Sequence, residues 1–186
     1  MAKNKHFTVP VKRKEKTNYR RRKLLLKSGK PRLIVRKTLR NIIAQIALFE
    51  PKGDKVITTI TTKDLKKLGW NYGNNIVTAY FIGMLLGKKA QEKNIKEAIL
   101  DKGIHRSTKG AKIYAVVKGA VDSGLKIPHG KDILPSQERI EGKHIAQYAE
   151  QLKKNQEDFK KQFSLKKDNP SEIVQKAKEF QKKITG

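Results

Sequence analysis

The chain has 186 residues, no Cys and a net charge of +27, a size that suits one domain with extensions. Disulfides, thiolate metal sites and cysteine nucleophiles are thereby removed, and a reducing, cytoplasmic setting is expected. No run approaches the ~20 apolar residues of a membrane-spanning helix, and the opening Met1-Ala2-Lys3-Asn4-Lys5-His6 has no apolar stretch that would make a signal peptide.

Residues 1–30 read as a basic arm. Sixteen of the first forty residues are Lys or Arg, and only Glu15 opposes them. Like charges repel and apolar residues are sparse there, so the arm needs a dense polyanion to lie against and is expected to order on binding it. RNA is the commonest such polyanion. An anionic membrane surface is the weaker reading, because the only Trp, Trp70, lies outside the arm. Within the arm, Thr17 or Asn18 is placed to cap a short helix over 19–27, which Ser28-Gly29 would stop before Pro31.

Residues 31–127 read as the folded core. Arg32 to Thr38 is apolar at its centre, Asn41 to Glu50 is rich in Ile, and Lys55 to Thr62 alternates Val, Ile and Thr. Short connections at Leu39-Arg40 and Pro51-Lys52-Gly53-Asp54 make these three strands an antiparallel meander with basic residues at its open end. One or two helical turns follow over 63–68. From Ile76 to Lys93 apolar residues recur at three and four, the strongest helix pattern in the chain, with Asn74 or Asn75 as its cap. Glu97 to Asp101 reads as a short buried strand, and Gly110 to Gly124 as a second amphipathic helix. The order β-β-β-α-β-α predicts an α/β (α+β) domain: a mixed, mostly antiparallel sheet with helices packed over it.

Residues 128–186 read as an extended crossing between Pro128 and Pro135, then a helical extension. A polar helix is expected from Ser136 to about Asn155 and another over 171–183. Residues 150–186 carry ten Lys and six acids. RNA, a protein neighbour and solvent all stand open as what this tail meets.

Chemistry concentrates in the arm and the hairpin mouth. Lys12, Arg13, Lys14, Lys16, Arg20, Arg21, Arg22, Lys23, Lys27, Arg32, Arg36, Lys37 and Arg40 are read as phosphate donors, the Arg planar and two-pronged, the Lys as point charges. Tyr19 is placed to stack on a sugar or an unpaired base. A second cluster, His105-Arg106-Ser107-Thr108-Lys109-Gly110-Ala111-Lys112, joins a strand to a helix. Free amides at the helix start would there meet an anion beside Arg106, Lys109 and Lys112, while Ser107 or Thr108 caps the helix.

Gly83-Met84-Leu85-Leu86-Gly87-Lys88-Lys89 faintly resembles a nucleotide-binding loop, but it is one residue short and lies in an apolar helix, so small-residue helix packing is expected. The four His are scattered, with no two at helical ligand spacing, and no metal or cofactor is called for. A metal-dependent ribonuclease would need a carboxylate cluster starting on the first strand. That strand reads Leu33-Ile34-Val35-Arg36-Lys37, and Asp101 and Asp122 read as an isolated strand-end residue and a helix solubiliser. The alternatives are that nuclease and a general RNA chaperone; an enzyme is not expected.

Several ordered segments carry a family resemblance. Lys16-Thr17-Asn18-Tyr19-Arg20-Arg21-Arg22 leads into Ser28-Gly29-Lys30-Pro31-Arg32-Leu33-Ile34-Val35-Arg36-Lys37. Then come Gly69-Trp70, Gly87-Lys88-Lys89-Ala90, Leu100-Asp101-Lys102-Gly103-Ile104-His105-Arg106, Gly119-Ala120-Val121-Asp122-Ser123-Gly124-Leu125 and Glu141-Gly142-Lys143-His144. Over most of residues 8–150 the chain resembles the archaeal and eukaryotic branch of the large-subunit ribosomal protein L-eighteen family. The resemblance implies a structural protein that attaches 5S rRNA to the large ribosomal subunit within the central protuberance. It also implies contact with the large-subunit rRNA and with a neighbouring 5S-binding ribosomal protein. Carried over, the 5S surface would comprise Thr17 to Arg22, then Arg32, Arg36, Lys37, Arg40 and Asn41, joined by Arg106, Thr108 and Lys109. The loop Asn71-Tyr72-Gly73-Asn74-Asn75 is shorter and less Gly-rich than the family pattern.

Overall fold

The computed structural model describes residues 17–153, 163 and 169–185; Lys12, Arg13, Lys14 and Lys16 lie outside them. Helix α1 (Tyr19–Leu26) starts where Asn18 Oδ1 accepts the Arg21 amide at 2.9 Å, so Asn18 and not Thr17 is the cap. It ends on Gly29, whose positive φ of 65° is open to Gly at little cost.

Strands β1 (Arg32–Lys37), β2 (Ile42–Leu48) and β3 (Lys55–Thr61) form the expected antiparallel meander. The fourth strand, β4 (Ile99–Asp101), pairs in parallel with β1, giving the order β3-β2-β1-β4. A parallel neighbour requires a crossover. It is supplied by α2 (Thr62–Lys67) and the long α3 (Ile76–Glu92). Asn75 caps α3, its Oδ1 accepting the Thr78 amide at 2.8 Å. After β4 comes α4 (Lys112–Asp122), which Gly124 stops at φ 95°.

Alternation along the strands sends Leu33, Val35, Ile42, Ala44, Ile46 and Ile60 to one face, where all are buried under α3 and α4. The two helices touch through glycine. A Cβ on Gly83 would overlap the Val116 carbonyl, and one on Gly119 would overlap that of Tyr80, so each backbone lies against the other. The Gly83–Lys89 stretch is thus a helix-packing element, as its apolar setting predicts.

The C-terminal region departs from expectation in two ways. The helix expected over 136–155 is two helices, α5 (Gln137–Glu141) and α6 (Lys143–Lys153), broken at Gly142 with φ 84°. A side chain at Gly142 would also press on Ile173 and Val77, so the break is set by packing. Second, the final helix α7 (Ile173–Thr185) buries Ile173, Ala177, Phe180 and Ile184 in the same core as α3. Phe180 stands 5.2 Å from Trp70 and 5.1 Å from Phe81 between ring centroids. The indole of Trp70 donates to Thr78 Oγ1 at 2.8 Å, so this aromatic cluster buries no orphan donor on that ring.

Candidate RNA interface

Helix α1 buries none of its residues, and Arg20, Arg21, Lys23 and Lys27 are exposed on it. Among the described residues, Arg22 alone of its cations has an ion pair. Its Nη2 lies 2.9 Å from both carboxylate oxygens of Asp54, in the β2–β3 turn. Asp54 also stands 2.6 Å from Arg32 Nη2, and Arg32 Nη1 donates to Asp101 Oδ2 at 3.1 Å. On the other oxygen Asp101 accepts from Arg36 Nη2 at 3.0 Å and from the Gly103 amide at 2.9 Å. Five residues from four elements therefore alternate in charge: Arg22, Asp54, Arg32, Asp101, Arg36.

This chain of contacts corrects the reading of Arg32. Expected among the phosphate donors, it is 0% exposed, held between two carboxylates, and cannot reach an RNA backbone. Asp101 is not an isolated strand-end acid but the centre of that arrangement. Asp122 likewise does more than solubilise a helix: it accepts the Tyr80 hydroxyl at 2.9 Å and pairs with Lys118 at 3.0 Å. That hydrogen bond and, first, burial push the Tyr80 hydroxyl pKa well above the usual tyrosine range.

Arg36 remains part-exposed. Its Nη1 donates to the carbonyls of Asp101 at 2.7 Å and Val35 at 3.0 Å, which leaves part of the guanidinium facing out. Gly103, at φ 60°, sits beneath that guanidinium, where a Cβ would collide with it. Thr17, Asn18, Arg21, Arg22, Arg36, Asp101 and Gly103 together line a cleft of about 50 Å³. The arm helix and the sheet edge thus share one surface.

The β1–β2 hairpin tip continues it. Lys37 and Arg40 are exposed, and Asn41 is half-buried, its amide donating to Thr38 Oγ1 at 3.0 Å. Asn74 Nδ2 donates to the carbonyls of Thr38 at 3.1 Å and Leu39 at 3.0 Å and fixes the tip to the core. Lys112 Nζ in turn donates to Asn74 O at 2.6 Å. Its ammonium braces the short loop 71–75, so Lys112, expected as an anion contact, is already engaged as a strut.

Charge crowding shows in the titrating groups. Burial first, then Lys37, Arg36 and Lys102, push the His105 pKa below its ordinary value. Burial and Arg21 lower Lys102; burial and Lys37 lower Lys112. These groups feel α1, β1 and the turn after β4 as one positive field. Lys102 and His105 belong to it although only their local turn was legible in the sequence. The side chains of Arg106, Thr108 and Lys109 are exposed on the same connection and make no hydrogen bond or ion pair among the described residues. Neither Ser107 nor Thr108 caps α4: the cap is Ala111, and the Ser107 hydroxyl meets that of Tyr114. Among the described residues no group of acids and His is arranged to hold a metal ion.

A family model described as "Ribosomal large subunit proteins 60S L5, and 50S L18" matches residues 5–97 and 88–130, which include α1, the whole sheet and the 102–112 connection. The chain is also 47% identical over 190 residues to a "Large ribosomal subunit protein uL18" of Methanococcus maripaludis. That alignment covers 99% of this chain and 98% of the relative, so it extends through α6 and α7. The chain belongs to the large-subunit ribosomal protein L5/L18 family, on its archaeal branch.

Proposed function

We propose that this protein binds 5S rRNA and holds it to the large subunit in the central protuberance, touching the large-subunit rRNA and a neighbouring 5S-binding protein as well. Family membership already gives the coarser statement: a structural, non-enzymatic, rRNA-binding component of the large subunit of the cytoplasmic ribosome. The observation that carries the finer one is the sorting of the cations. Acids neutralise Arg22, Arg32 and Arg36 from below, while Arg21 lines the cleft and Arg20, Lys23, Lys27, Lys37 and Arg40 stand exposed on α1, just after it and at the hairpin tip.

A mechanism follows from that arrangement. Lys and Arg replace the counterions of the phosphates, which gives affinity, and the fixed spacing of α1 against the hairpin tip selects a backbone shape. The A-form major groove is too narrow for side-chain readout, so recognition rests on shape and on unpaired bases, with Tyr19 (39% exposed) free to stack. Arg106, Thr108 and Lys109 extend the contact along the next phosphates, and Lys12, Arg13, Lys14 and Lys16 do so ahead of α1.

The test is a titration with folded 5S rRNA and a length-matched duplex at several salt concentrations. A preference for 5S rRNA of about 100-fold or more that persists as salt rises supports the proposal. Equal affinities, both lost with salt, would make the chain a general polyanion binder.

A further inference from the structure

We infer that the alternating series Arg22–Asp54–Arg32–Asp101–Arg36 is a positioning device that docks α1 on the sheet edge before any RNA arrives. The inference rests on the rRNA-binding reading and adds the residues that set the geometry of the binding face.

Little else in the structure holds α1. The helix buries no residue completely, so apolar contact with the core is slight. A free helix of eight residues is unstable in water, because its nucleation cost is spread over too few hydrogen bonds. Its one ion pair to the sheet is Arg22–Asp54. Asp54 lies at the far turn of the meander, and Arg32, fully buried, carries its position across to Asp101 and so to Arg36. Burying ion pairs seldom stabilises a fold relative to apolar substitutes, whereas removing one partner from a buried set is costly. Such a series is better suited to fixing geometry than to adding stability. It keeps Arg21 and Arg36 on the same cleft, and it uses two carboxylates where a surface built only for phosphate would have none.

That last point makes the inference separable from plain electrostatics. Asp54→Asn removes a negative charge beside an RNA-binding face. If charge alone governs affinity, the variant binds rRNA more tightly. If Asp54 positions α1, it binds more weakly, by about three- to tenfold for an arm docked only part of the time.

The experiment is amide hydrogen exchange on the free full-length protein, paired with rRNA titration, for wild type, Asp54→Asn, Asp54→Glu and Arg22→Gln. Arg22→Gln leaves the Arg32–Asp54 pair intact, so it tests docking even if loss of Asp54 unsettles the core. The expected result is that α1 amides exchange about tenfold faster in Asp54→Asn and in Arg22→Gln, for the loss of one charged contact. Amides of α3 should keep their protection, and Asp54→Glu should restore that of α1 in part. Unchanged α1 exchange in both variants would overturn the inference, as would faster exchange in Asp54→Asn with equal or tighter rRNA binding. Failure of the wild type to bind rRNA would instead remove the functional reading, and the exchange result would still decide whether the series docks the helix.

Discussion

Phe180→Ala tests whether the C-terminal helix is part of the core or an appendage laid on it. Phe180 is 7% exposed and closes the side of the cluster formed by Trp70, Tyr72 and Phe81. Truncating a buried Phe to Ala removes its transfer energy and leaves a cavity, together about 3–5 kcal/mol. The neighbours here are Trp70, held by its hydrogen bond to Thr78, and the rigid α3, so little collapse is available and the upper part of that range applies. At about 4–5 kcal/mol, with each kcal/mol lowering Tm by about 2–4 °C for a domain of this size, the expected loss is about 8–20 °C. Trp70, the only tryptophan and 2% exposed, serves as a local probe. Its emission should shift to the red in the variant at a temperature where the far-ultraviolet circular dichroism still reports a folded chain. A loss below about 1 kcal/mol, a surface-substitution value, with unchanged Trp70 emission, would refute the docking of α7.

The other predictions concern helix packing, the arm and pH. Gly119→Ala should lower the urea midpoint by an amount equivalent to about 1–3 kcal/mol, since the added methyl meets the Tyr80 carbonyl and the helices must part; wild-type stability would contradict the close approach. Deleting residues 1–22 removes nine cations and one acid and should leave the core folded. It should weaken rRNA binding and flatten its dependence on salt, and a truncated protein of unchanged affinity would end the arm's role. His105 has a lowered pKa in the free protein, and a phosphate placed near it would raise that value, so binding takes up protons between the two. Affinity should therefore rise as pH falls from the ordinary histidine value of about 6.5 towards the lowered value of the free protein, and His105→Gln should reduce that slope. The folding contribution has its own sign: with the folded value depressed, the stability His105 contributes is present above about 6.5 and is lost as pH falls through the folded value.

Local chemistry made the meander, α3 and α4 legible. β-branched runs bounded by Pro51-Lys52-Gly53-Asp54 can be little else than paired strands, and the three-four spacing from Ile76 marks a helix, which the structure buries on every side from Ile76 to Met84. What stayed hidden was long-range. Gly142 looks like one residue in a polar helical stretch until Ile173, thirty-one positions later, packs against it. Arg32 and Arg36 are the same residue type four positions apart, yet one is sealed between acids 22 and 69 residues away and the other faces outward. α7 showed its helical spacing in Ile173, Ala177, Phe180 and Ile184, but nothing in that spacing names Trp70 as its partner. The candidate site was legible as a segment rich in charge, and its division into contacts and struts was not.

That division explains how so basic a chain can be both folded and adhesive. A surplus of 27 charges opposes compaction, because every added cation raises the self-repulsion of the folded state. Three of the 17 acids sit at buried or half-buried contacts. Asp54 and Asp101 are spent where guanidiniums must be buried or held close, and Asp122 where Tyr80 and Lys118 meet between the helices. The remaining repulsion falls on α1, the hairpin tip and the 102–109 connection, where Lys102 and His105 are depressed first by burial and then by neighbouring cations. On the proposed function, an arriving polyanion would relieve this repulsion. Placement by the carboxylates would then confine that relief to an RNA whose phosphates reach all three elements at once, and shape selectivity would enter there on a surface made chiefly of positive charge.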